Sequence, residues 1–174
     1  MADLITTISV ILPHEVQAHV MPLLRRFMPE LVGEYSGHIT ILAPFAPFRI
    51  LDQACEKLRL ALTEMDSFQV TLAGYDAFPM AAYMPVTNPD PLCEVYERIR
   101  HAFPEYLPYG GQFGGEYRPH VTIAHLEDES GVLPDDLPAY APFTFKEDRI
   151  HVQYGIPGTA LPWIAYDVIP LRRH

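Results

Sequence analysis

Residues 33–45 read GEYSGHITILAPF, and residues 114–126 read GGEYRPHVTIAHL. Aligned on their histidines, Gly33-Glu34-Tyr35 falls on Gly115-Glu116-Tyr117, His38 on His120 and Thr40 on Thr122, about half a chain apart. Both stretches are rich in β-branched residues, and the first is stopped by Pro44 and Pro47, so each reads as a strand. Side chains on a strand alternate between its faces. His38 and Thr40 therefore share one face, while Ile39 and Ile41 turn the other way into a core. His120 and Thr122 stand in the same relation to Val121 and Ile123. Each strand presents an imidazole beside a hydroxyl.

If the two strands lie close, two imidazoles and two hydroxyls converge on one cleft. That set suits in-line displacement at a phosphodiester. One neutral histidine takes a proton from the attacking oxygen, and one protonated histidine gives a proton to the leaving oxygen. An imidazole titrates at about 6.5, so both forms coexist near neutrality and a bell-shaped pH profile with limbs around neutrality is expected. The threonine hydroxyls can hold the non-bridging phosphate oxygens. No metal or other cofactor is needed. One H-x-T pattern on a strand arises by chance and marks only a half-buried histidine. Two copies with the same flanking residues inside strand patterns carry the functional reading.

Around the motifs the periodicities alternate. Residues 4–12 read as a strand, and residues 13–28 as a helix with Val16, Val20, Leu23 and Phe27 on one face, which Pro22 should kink or split. Residues 50–65 form an amphipathic helix, residues 67–75 an alternating strand, and residues 81–86 its expected neighbour. Asp90 as cap and Pro91 open a helix to about residue 103. Further strands follow in TFKEDRIHVQY, residues 144–154, and WIAYDVIPL, residues 163–171. Two stretches are irregular: the Gly- and aromatic-rich residues 105–117, and the acidic, Pro-broken residues 127–140. The second of these follows the second motif, where a long helix follows the first.

HITI and HVTI, with YRPHVTIAHL around the second, resemble the signature of the 2H phosphoesterases, which include the 2'-5' RNA ligases and cyclic nucleotide phosphodiesterases. The resemblance covers nearly the whole chain. It implies a bilobal α+β fold in residues 1–174, with two intertwined lobes related by a pseudo-two-fold axis. Each lobe has an antiparallel sheet backed by helices, with a central groove between them. It also implies metal-independent hydrolysis, or reversible formation, of phosphodiesters at a ribose 2'-oxygen. The substrate types are 2',3'-cyclic phosphates, ADP-ribose cyclic phosphate and 2'-5' linkages. On this reading His38 and His120 are catalytic and Thr40 and Thr122 bind phosphate.

Other residues are weaker candidates. Arg118, two before His120, would share its face and steer a phosphate. Tyr109 and Phe113, in the Gly-rich loop, would stack on a base and close over the groove. Tyr75, Phe78 and Tyr83 read as core or rim aromatics. His125 falls at an odd offset from His120, on the opposite strand face, a poor arrangement for a shared metal, and His151 reads as solvated.

Composition limits the partners. The chain has 174 residues, is 49% hydrophobic and 20% charged, and carries a net charge of −10. That describes one globular domain or two small lobes sharing a core, with no run long enough to span a bilayer. Twelve Lys and Arg against 22 Asp and Glu do not make a surface that tracks a duplex. A small nucleotide or an RNA terminus is the expected partner, and the protein is expected to be a monomer. The apolar N-terminus lacks a basic leader and reads as a strand. Cys55 and Cys93 read as reduced core residues of a cytoplasmic protein. The competing readings are a non-catalytic module that holds a nucleotide or RNA end in the same groove, and a histidine-metal hydrolase.

Overall fold

The structure is a computed structural model and describes residues 4–31, 36–111, 116–126, 131–159 and 161–173. Its strands are β1 (Ile5–Ile11), β2 (His38–Leu42), β3 (Phe68–Leu72), β4 (Asp76–Phe78), β5 (Ala81–Pro85), β6 (His120–His125), β7 (Phe143–Glu147), β8 (Arg149–Gly155) and β9 (Ile164–Pro170). Its α-helices are α1 (His14–Phe27), α2 (Leu51–Leu62) and α3 (Asp90–Ala102). All strand ladders are antiparallel, and the architecture is α+β.

One sheet has the order β2-β1-β8-β9, and a second has β4-β5-β6. β3 pairs with β7 and touches the end of β5 through a single bridge, Leu72 to Val86. The sequence expectation that residues 67–75 and 81–86 are neighbours holds only at that bridge. The partners of β5 are β4, a three-residue strand too short to show a period, and β6. Residues 144–154 also divide into β7 and β8, which join different sheets.

The strand–helix–strand units β1-α1-β2 and β5-α3-β6 share the register of their motif strands. Ile11 lies opposite His38 and Ser9 opposite Thr40, then the register slips and Ile8 meets Leu42. Pro85 lies opposite His120 and Tyr83 opposite Thr122, then the register slips at the same place and Ala82 meets Ala124. Just before the histidines, the Leu12 N–H donates to the Gly37 carbonyl and the Val86 N–H to the Pro119 carbonyl. Each motif strand thus carries a β-bulge immediately after its threonine, at Ile41 and at Ile123. A bulge bends the strand and re-aims the side chains beyond it.

Helices cross between the units. α1 follows β1 but packs on β6, whereas α3 follows β5 but packs on β2 and on α2. Ile39, Ile41, Val121 and Ile123 are all buried in the continuous core between these layers. Each contributes roughly 1.5–3 kcal/mol of apolar burial, which fixes the faces of the motif strands. α1 runs unbroken through Pro22, so of the kink or split that the sequence predicts there, the split does not occur. A proline removes one helical hydrogen bond, and the buried face of Val16, Val20, Leu23 and Leu24 holds the two sides together.

Candidate functional site

β2 and β6 are edge strands of their sheets and pack side by side. The histidine-threonine faces of both point away from the core. In each strand the histidine and threonine are half-buried, while the residue between them and the one after are buried. The sequence expectation that the two motifs converge is met.

The two imidazoles are held alike. His38 Nδ1 lies 2.9 Å from the Ser36 carbonyl, and His120 Nδ1 lies 2.7 Å from the Arg118 carbonyl. A carbonyl only accepts, so Nδ1 carries the hydrogen in both rings and Nε2 is the nitrogen that gains or loses a proton. Burial lowers the proton affinity of both rings below that of an ordinary histidine. The charge of His120 lowers His38 further, which places the two rings within electrostatic reach.

Packing from α1 sets the approach to His38. Gln17 donates to the Gly37 carbonyl at 2.7 Å and accepts from the Gly37 N–H at 2.9 Å. A Cβ on Gly37 would stand 2.8 Å from Val20 and 2.9 Å from Leu12, so only glycine lets the helix this close.

Thr40 is gripped from the second half of the chain. The Tyr117 phenol donates to the Thr40 carbonyl at 2.9 Å, and its ring stacks on Tyr96 at 4.4 Å. The Tyr109 phenol shares a hydrogen bond with the Thr40 side chain, and the Tyr109 N–H donates to the Ala43 carbonyl at 2.6 Å. Tyr109 takes a left-handed backbone with φ 49°, a conformation uncommon outside glycine. The Gly-rich loop therefore brings Tyr109 to the site. Phe113 lies outside the described residues.

His120 stands against an aromatic wall. Tyr83 is 5.0 Å and Phe78 5.1 Å from its ring, and the two stack on each other at 4.2 Å. The Tyr83 phenol donates to Asp76 at 3.0 Å. Arg118 is exposed and lies close enough to lower the Tyr83 phenol's pKa, against the raising effects of burial and Asp76. Sequence reasoning puts Phe78 and Tyr83 in the core or rim. Tyr83 is the cross-strand neighbour of Thr122, a relation that depends on register and is invisible in the local pattern.

Two other histidines differ from expectation. The Ile123 bulge restores parity, so His125 lies on the exposed side with His120 and Thr122. His151 is half-buried, not solvated, and lies opposite Ser9, which itself lies opposite Thr40. Among the described residues, no group of three or more His, Cys, Asp or Glu is placed to hold a metal. No helix among them is long and apolar enough to cross a membrane.

Two facing H-x-T strands on an antiparallel α+β scaffold define a class, and comparison with known proteins names it. The sequence model of the 2'-5' RNA ligase superfamily matches residues 12–154. The chain belongs to that superfamily, that of the 2H phosphoesterases. No curated protein sequence matches it. Among solved structures, E. coli LigT complexed with 3'-AMP is similar with a TM-score of 0.70 and 14% identity, over 96% of this chain and 97% of that one. TT0787 of Thermus thermophilus is similar with a TM-score of 0.70 and 17% identity, over 97% and 98%. A protein described as a phosphoesterase has a TM-score of 0.68 and 13% identity, over 97% and 99%. At these identities the likeness is one of fold.

Proposed function

We propose that this groove hydrolyses a phosphodiester at a ribose 2'-oxygen, with His38 and His120 as the acid–base pair and no metal ion. The observation that carries this reading is the matched pinning of the two imidazoles. Each Nδ1 is tied to the carbonyl two residues earlier, so both rings offer Nε2 to whatever lies in the groove.

The step balances with these groups alone. The neutral ring's Nε2 takes a proton from water as the water oxygen bonds to phosphorus. The protonated ring's Nε2 gives its proton to the ribose oxygen as the phosphorus–oxygen bond breaks. Exchange with solvent restores the starting protonation states. Thr40 and Thr122 donate to the non-bridging oxygens, where negative charge gathers in the transition state. Arg118 steers the anion, and Tyr109 lies over the Thr40 side of the substrate. Run backwards, the same step forms the ester.

The substrate fits a small nucleotide or an RNA terminus, and LigT has been seen with 3'-AMP, NADP+ and ATP. Cys55 and Cys93 are free thiols, the first buried and the second half-buried, which fits a reducing cytoplasm. The protein is proposed to act as a monomer.

The test is turnover of nucleoside 2',3'-cyclic phosphates, ADP-ribose cyclic phosphate and 2'-5' dinucleotides in EDTA, with products identified by phosphorus NMR. Turnover of one class with chelator present supports the proposal. Binding without turnover of any class would make the groove a nucleotide-holding module. Loss of turnover on chelation would make the enzyme a histidine-metal hydrolase.

A further inference from the structure

β1 lies between β2 and β8, and this order sets a third histidine in the row of the first motif. Thr40, Ser9 and His151 are direct cross-strand neighbours on one face. With strands ~4.8 Å apart, His151 sits about 10 Å across the sheet from Thr40. Its strand neighbours Ile150 and Val152 are fully buried in the core, so the row Arg149, His151 and Gln153 faces the groove side.

The row is built of donors. Ser9 has no exposure to solvent, and its hydroxyl donates to Gln153 Oε1 at 3.0 Å. That bond turns the carboxamide oxygen inward and leaves the Gln153 NH2 to donate outward. Arg149 is near enough to His151 to disfavour its protonation, adding to the larger effect of burial. Asp148 is the carboxylate facing Arg149, and it pairs with both Arg149 and Arg173. The buried carboxyl of Glu147 also acts on Arg149, and Arg173 adds a second guanidinium at this end of the sheet.

The other wall occupies the same positions with opposite chemistry. Tyr83 lies opposite Thr122 as Ser9 lies opposite Thr40, and Asp76 lies opposite Tyr83 as His151 lies opposite Ser9. There the scaffold carries two stacked rings and a carboxylate. Rings and an acceptor suit a base and a ribose, whereas a row of donors suits phosphate oxygens.

We infer that Arg149, His151 and Gln153 form a binding site for a second phosphate of the substrate, one separate from the phosphate held by Thr40 and Thr122. The substrate is then a nucleotide that carries a further phosphate about a nucleotide's length from the reacting one. This rests on the proposed phosphodiesterase reading and narrows its substrate class.

Calorimetric binding to the full chain tests it without requiring turnover. The ligands are adenosine 3'-monophosphate, adenosine 3',5'-bisphosphate, and a diadenosine 3'-phosphate that lacks a 5'-phosphate. The wild-type protein is expected to bind one of the two larger ligands at least ~10-fold more tightly than the monophosphate, a gain of about 1.4 kcal/mol. A gain for the bisphosphate identifies a terminal 5'-phosphate, and a gain for the dinucleotide alone identifies a backbone linkage. His151→Gln and, separately, Arg149→Gln should each reduce that affinity ratio to about threefold or less. Equal affinities in the wild type, or an unchanged ratio in both variants, would overturn the site. The ratio of kcat/KM for cyclic nucleotides with and without the second phosphate should follow the binding ratio. If the wild type turns over neither, the phosphodiesterase reading falls, while the binding ratios still judge the phosphate site.

Discussion

The phenol of Tyr117 donates a 2.9 Å hydrogen bond to the main-chain carbonyl of Thr40. The carbonyl belongs to an edge strand, and the phenol leads into the other motif, so one bond spans the seam between the two sheets. Tyr117→Phe keeps the ring stacked on Tyr96 and removes only this bond. A loss of about 1 kcal/mol in unfolding free energy is expected, measured by urea denaturation. Turnover should fall by no more than ~10-fold, because the groups that move protons are untouched. No change in stability would mean that water replaces the phenol at no cost.

His38→Ala and His120→Ala are each expected to reduce turnover by at least ~10²-fold, the scale of a lost general acid or base. The double variant should be little worse than either single one, since the two rings act as a unit. Both rings are half-buried beside the groove and outside the apolar core, so circular dichroism should show an intact fold. Near wild-type turnover in either single variant would remove that ring from the chemistry.

The pH profile should lie on the acid side. Activity needs one ring protonated and one neutral, so kcat/KM rises through the lower apparent pKa and falls through the higher. Burial depresses both rings, and the charge of His120 depresses His38 further. Both limbs therefore fall below about 6.5, the ordinary histidine value, and kcat/KM should already be declining at pH 7. Around an unperturbed imidazole, the sequence alone predicts limbs near neutrality. A bound phosphate anion favours the protonated ring, so the kcat profile should shift towards higher pH. Rates from pH 4.5 to 9 at low and saturating substrate separate the two, and a flat profile would end the two-histidine mechanism.

Glu147 should make stability fall as pH rises. Its carboxyl is buried, chiefly for that reason raised to about 7, while it accepts the Arg149 N–H at 3.0 Å. Between its ordinary value of 4.5 and about 7, the folded state keeps a proton that the unfolded state has lost. Stability present below 4.5 is therefore lost as pH climbs through that window. His38 and His120 act oppositely. Their folded pKa values lie below the unfolded one, so their share of stability is lost as pH falls below about 6.5. Glu147→Gln keeps an oxygen for the Arg149 N–H and removes the titration. Above pH 7 it should be more stable than wild type by on the order of 3 kcal/mol, with no advantage below pH 4.5. An equal difference at both ends would contradict this account.

Much of the site is legible in residues 33–45 and 114–126. Strict alternation around His38, Thr40, His120 and Thr122 sets their faces, and the apolar residues between them fix those faces in the core. The part that sequence does not show is lateral. Phe78 and Tyr83 reach His120, and His151 reaches the row of Thr40, through pairing across strands remote in the chain. The bulges at Ile41 and Ile123 lack a marker because no glycine sits there, so counting parity places His125 on the wrong side. Pro22 does not break α1 because local propensity yields to the burial of a whole helix face.

The crossing of helices between the two units has a consequence for how the chain is made. α1 emerges early in synthesis, yet the strand it covers, β6, begins only at residue 120, and β1 stays unpaired on one side until β8 arrives at residues 149–155. Until then the nascent chain displays a bare apolar helix face and a half-open strand. Contacts so distant in sequence make closure slow, and unpaired edges invite association with other chains meanwhile. The first half alone should therefore be an aggregation-prone fragment, and assembly should await the synthesis of β6 and β8.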